Sequence, residues 1–137
     1  DVSILATYQS EIFWNKVKDL EVFSATTNNI IRIVIPPSQC IQLAYQLSSI
    51  KHKYYLDWGG ALIWMEACEL TEEMFDSIKK KVVKHGGYIS MIKTSDHLPF
   101  VEEVFTINMN RFNISQNIKK SFDPKRILNP GKMYTGI

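Results

Sequence analysis

The residues best equipped for chemistry lie near the end of the chain. Phe122-Asp123-Pro124-Lys125-Arg126-Ile127-Leu128-Asn129-Pro130-Gly131-Lys132 sets a carboxamide directly before a Pro-Gly pair, with a lysine close behind. The amide of Asn129 has two N–H donors and one carbonyl acceptor, so it can both donate and accept hydrogen bonds. Pro130 narrows the conformations of Asn129 and Gly131 admits the following turn. The alternative is a turn that only fixes the tail. Arg32 stands inside a β-branched run and reads two ways. It is either a solvated charge on a sheet face or a clamp that holds a carboxylate by two parallel bonds. Trp58 and Trp64 flank Gly59-Gly60. Such rings cover a core or a sheet face; alternatively, Trp58 lines a surface that meets a ligand.

The remaining reactive types point nowhere in particular. Cys40 and Cys68 lack CxxC spacing, and His52, His85 and His97 are scattered, so no metal-ligand pattern is visible. His97 falls in a loop-like stretch without an evident partner. No cysteine cluster suits an iron–sulfur centre. Two thiols do not make a disulfide framework, which fits a reducing compartment, and Cys40 sits on an apolar stripe where a buried thiol is expected.

These side chains must be positioned by a regular series of elements. Residues 10–20 read as a helix capped by Ser10, with Phe13, Val17 and Leu20 on one face. Residues 30–35 read as a strand, with Ile31, Ile33 and Ile35 pointing one way and Arg32 the other. Pro36-Pro37 ends it. A helix follows with Cys40, Leu43, Ala44 and Leu47 on one stripe. Residues 54–58 and 61–67 read as strands around the two glycines. Thr71 caps the next helix, whose stripe is Met74, Phe75, Ile78 and Val82, and Gly86-Gly87 stops it. Residues 88–93 form the last strand. The order is βαββαβ, which predicts an α+β, ferredoxin-like two-layer sandwich: an antiparallel sheet with two helices on one face. Residues 94–108 read as a connection and 110–121 as a helix, with Ile114, Ile118 and Phe122 at helical spacing. An irregular tail closes the chain, because its prolines and glycine forbid a long helix. Phe122, Ile127 and Leu128 are expected to anchor this tail to the core.

Composition sets bounds. The 137 residues suffice for one domain, with 45% hydrophobic and 22% charged residues. A net charge of +2 gives no case for nucleic acid or an anionic membrane, and no stretch matches the signature of an RNA-recognition sheet. No apolar run approaches the ~20 residues of a membrane span.

The closing motif resembles that of FAD-linked oxidases of the vanillyl-alcohol oxidase type, matching at Phe122, Asp123, Pro124, Ile127, Leu128, Asn129, Pro130, Gly131 and Lys132. Leu56-Asp57-Trp58-Gly59-Gly60-Ala61, the Glu11-Ile12-Phe13-Trp14 segment and Ile33-Val34-Ile35-Pro36-Pro37-Ser38 are similar to segments of the FAD-binding subunits of glycolate oxidases. The resemblance implies that Asn129, with Lys132, contacts the flavin. It also implies a small 2-hydroxy acid as substrate, glycolate going to glyoxylate, for which Arg32 and Trp58 are candidate contacts. Its implied partners are a second flavin subunit and an iron–sulfur subunit, in a cytoplasmic setting or at the inner membrane through those partners. The organisation expected is a helix and linker from a flavin domain (residues 1–29), a ferredoxin-like cap (30–93), and a connection, helix and flavin-proximal tail (94–137). No glycine-rich pyrophosphate loop is present, so the chain on its own is expected neither to retain FAD nor to turn over. The competing expectation is a stand-alone, non-catalytic ferredoxin-like interaction module.

Overall fold

The structure, a computed structural model, describes residues 2–23, 25, 27–50, 52–95, 98–101, 104–132 and 134–137. His97 lies outside the described residues. Four strands, β1 (Asn29–Val34), β2 (His52–Asp57), β3 (Leu62–Ala67) and β4 (Tyr88–Lys93), form one sheet in the order β2-β3-β1-β4 with every pair antiparallel. Helix α2 (Cys40–Leu47) connects β1 to β2, and α3 (Glu72–Lys84) connects β3 to β4. Helices α1 (Thr7–Lys18) and α4 (Met109–Phe122) stand before and after this βαββαβ unit. The chain thus has the expected α+β, ferredoxin-like two-layer architecture.

Alternation along the strands decides which face is covered. Ile31 and Ile33 of β1, Ile63 and Met65 of β3 and Ile89 of β4 meet Leu43 and Leu47 of α2 and Phe75, Ile78 and Val82 of α3 in one buried cluster. Both helices therefore lie on the same face. Truncating a fully buried member such as Leu43 or Ile78 to alanine would cost ~2–5 kcal/mol. Local signals hold the helices in register. The Thr71 hydroxyl accepts from the Met74 N–H at 3.2 Å, and Glu72 and Glu73 oppose the positive helix end. Gly86 takes a φ of +76° where α3 stops. Gly87 is required for a different reason: a Cβ there would lie 2.5 Å from the Val34 carbonyl oxygen.

The outer helices differ from expectation. The first helix starts at Thr7, because Gln9 Oε1 accepts the Ala6 N–H at 3.0 Å and relieves an orphan donor one turn before Ser10. Neither α1 nor α4 contains a buried residue. Phe13, Ile114, Ile118 and Phe122 share helical spacing but stay exposed, since α2 and α3 already fill the helix face of the sandwich.

Candidate functional site

The tail is organised by a carboxylate. Asp123 follows the last turn of α4, where its own N–H bonds to the Lys119 carbonyl at 2.8 Å. Its Oδ1 accepts the Ile127 N–H and its Oδ2 the Leu128 N–H, both at 2.9 Å. Lys119 Nζ meets Oδ2 at 2.8 Å, an i,i+4 pair that is largely buried, and also donates to the Leu128 carbonyl. The Lys119 contact, followed by the two backbone N–H groups, holds the Asp123 carboxyl down at about 2, well below the ordinary 3.8. The apolar anchors expected here do not serve: Ile127 is 69% exposed and Leu128 64%, and Phe122 is more exposed still. Tyr134 is the ring that docks, with its centroid 6.3 Å from both Phe105 and Phe112. Phe105 in turn forms an isolated bridge with Ser90 of β4.

This polar knot sets out the two residues that resemblance assigned to a cofactor. Asn129 and Lys132 line one cavity of about 470 Å³ with Ile118, Phe122, Leu128 and Tyr134. Asn129 adopts φ +45°, left-handed and immediately before a proline. Asparagine is among the few L-residues that tolerate this region. Its side-chain amide makes no hydrogen bond among the described residues, while its backbone carbonyl accepts the Lys132 N–H at 3.3 Å. A free amide and a cation beside apolar walls match the chemistry of a flavin ring system, which has apolar rings and a polar edge.

A second cluster occupies the sheet face away from α2 and α3. The strand register aligns Tyr55, Trp64, Arg32 and Ser90 in a single row across β2, β3, β1 and β4. The Arg32 guanidinium carbon lies 5.3 Å from the Trp58 ring centroid and 5.9 Å from that of Trp64. Among the described residues Arg32 has no ion pair, and its guanidinium lies against the two rings. Trp58 is 61% exposed and has φ +52°, an uncommon state for a bulky residue, which continues through Gly59 and Gly60. Asp57 Oδ1 stabilises this turn by accepting the Trp58 N–H at 2.7 Å. At the ends of the row, the Tyr55 hydroxyl and Ser90 Oγ are buried and have no hydrogen-bond partner among the described residues. Burial, and next the Asp57 charge, push the Tyr55 hydroxyl above its ordinary pKa.

The structure thus brings Asn129 together with Lys132, and Arg32 together with Trp58. The tail cavity is not lined by Arg32 or Trp58. Sequence reasoning missed Asp123, Lys119 and Tyr134. The available signal was an aspartate placed before a proline at a helix end, with a lysine four residues earlier. It also missed Ser90, whose place in the row depends on strand register.

A family model described as FAD linked oxidases, C-terminal domain, matches residues 63–133, more than half of the chain. Glycolate oxidase subunit GlcE of Escherichia coli (strain K12) is 23% identical over 127 residues, covering 91% of this chain and 32% of that protein. The chain therefore spans about a third of the length of the curated relative it matches. No solved structure matches it.

Proposed function

We propose, from the premise that this chain belongs to the FAD-linked oxidase C-terminal domain family, that it forms the cap and flavin-proximal tail of an FAD-dependent 2-hydroxy-acid oxidoreductase subunit. The observation that carries this reading is the tail, fixed by Asp123, with Asn129 and Lys132 set out on one cavity inside the matched segment. Asn129 would bond the polar edge of the flavin and Lys132 would supply positive charge beside it. FAD, when bound, would supply the hydride acceptor for oxidation of the substrate at its α-carbon.

Arg32 is the group suited to the substrate carboxylate. Its planar fork can hold both oxygens, and Trp58 and Trp64 limit its motion without neutralising it. Glycolate is the substrate favoured by the similarity to glycolate oxidase subunit GlcE, and a second flavin subunit and an iron–sulfur subunit are proposed as the electron-accepting partners on the motif resemblance. Residues 1–29 would lead in from the flavin-binding domain, residues 30–93 form the cap, and 94–137 carry the tail.

The test is anaerobic reduction of bound FAD in the full-length subunit assembled with its partners. Loss of flavin absorbance on adding glycolate supports the proposal. Retention of the oxidised spectrum with glycolate and with larger 2-hydroxy acids rejects it. The isolated chain should purify colourless, and a stoichiometric yellow product would show that FAD needs nothing beyond these residues.

A further inference from the structure

We infer that Asp123 is the positioning residue of the tail: its carboxylate, braced by Lys119, holds the segment that presents Asn129 and Lys132 to the flavin. This rests on the flavin reading proposed above. The constraint runs through consecutive atoms. Asp123 receives the N–H groups of Ile127 and Leu128, one on each oxygen. Lys119 joins Oδ2 of the same carboxylate to the carbonyl of Leu128. Both backbone polar groups of Leu128 are thereby occupied, and the next residue is Asn129. Pro124 has no N–H to compete for the carboxylate, and the Asp123 carbonyl takes the Arg126 N–H at 2.9 Å, which closes the turn.

Apolar packing at Ile127 and Leu128 does not substitute for this hold, because both are exposed; the ring that docks, Tyr134, comes only after Asn129 and Lys132. Order passes onward through the bond from the Lys132 N–H to the Asn129 carbonyl and through that from the Gly131 N–H to the Ile137 carbonyl at 2.7 Å. The core between the sheet and helices α2 and α3 shares no residue with the knot. Loss of Asp123 should therefore loosen Asn129 and Lys132 while the sandwich stays folded. A tail that must be ordered at the moment of binding contributes less affinity than one already fixed.

The experiment uses the FAD-loaded full-length protein with Asp123→Ala, Asp123→Asn, Lys119→Met and Asn129→Gly. FAD dissociation constant, visible circular dichroism of the bound flavin and thermal melting are read for each. Asp123→Ala should weaken FAD about ten-fold and change the visible dichroism, since it removes charge-assisted bonds. Asp123→Asn should recover part of the loss, because its one carbonyl oxygen still accepts one backbone N–H. Lys119→Met should fall between wild type and Asp123→Ala, and melting should stay near wild type throughout. If Asn129→Gly weakens FAD while Asp123→Ala and Lys119→Met leave affinity and dichroism unchanged, the positioning role is wrong and the flavin reading survives. If Asn129→Gly also binds FAD as wild type does, the flavin reading itself fails. If Asp123→Ala does not fold, Lys119→Met carries the test, and unchanged flavin dichroism in that variant overturns the proposal.

Discussion

Replacing Asn129 by alanine changes two things at once, because the residue has φ +45°. Alanine removes the amide and also meets the steric penalty of the left-handed region, about 1–2 kcal/mol. Glycine removes the amide but accepts this backbone without that steric penalty. The pair therefore separates the amide from the turn. With a flavin contact, Asn129→Gly should lose one neutral hydrogen bond, ~0.5–1.5 kcal/mol, or about a two- to ten-fold rise in the FAD dissociation constant. Its urea unfolding midpoint should stay near wild type. Asn129→Ala should show the same flavin loss and an added penalty in tail order, visible as faster amide exchange at Ile127 and Leu128. FAD titration of the full-length apoprotein measures the first quantity, and hydrogen exchange the second. If Asn129→Gly binds FAD like wild type while Asn129→Ala disorders the tail, the asparagine is there for its backbone alone.

Arg32→Gln should raise the KM for glycolate about ten-fold or more, as one charge-assisted pair is lost, with a smaller change in kcat; Arg32→Lys should recover little, because an ammonium lacks the fork. Equal KM values for wild type and Arg32→Gln would remove Arg32 from the substrate site. Gly87→Ala should destabilise the domain by about 1–3 kcal/mol in urea unfolding, because its Cβ meets the Val34 carbonyl oxygen at 2.5 Å and Val82 Cγ1 at 2.9 Å. The depressed Asp123 carboxyl stabilises the folded chain fully above its unfolded value of 3.8, and that contribution is lost as pH falls toward about 2. Amide signals of Ile127 and Leu128 should hold through mild acid and loosen only in that window; loosening near pH 6 would contradict the assignment. In the native chain a thiol reagent should modify exposed Cys68 rapidly and Cys40 slowly, since burial both shields Cys40 and raises its pKa.

The sandwich was legible because each of its elements advertises a period. Ile31 and Ile33 alternate with Arg32, and Phe75, Ile78 and Val82 recur along a helix stripe, so both the faces and the topology follow from local pattern. The tail was only half legible. Ile127 and Leu128 have the residue types of a core, but no uncovered face of the sandwich receives them. The work falls to Asp123, whose bonds go to backbone N–H groups that no side-chain pattern reveals. Asn129 and Lys132 are candidates from motif, not from physics; the left-handed φ that suits Asn129 appears only with coordinates. The aromatic clamp on Arg32 depends on the register between β1 and β3 and on the turn at Trp58, both of which are long-range facts.

The strand order also bears on where the protein can be cut. The family match begins at residue 63, inside β3, and ends at residue 133. A polypeptide trimmed to those limits keeps most of β3 and all of β4, yet these strands are not neighbours, because β1 lies between them and bonds to both. Removing β1 opens a gap about two strand spacings wide, ~10 Å, which no side-chain adjustment closes. Leu43 and Leu47 leave with α2, so Ile63, Met65 and Ile89 lose part of their cover as well. The stretch recognisable as family is therefore not an independently folding unit. Sequence comparison marks the part that bears the motif, whereas cooperative folding requires the earlier strand and helix that give that part its place.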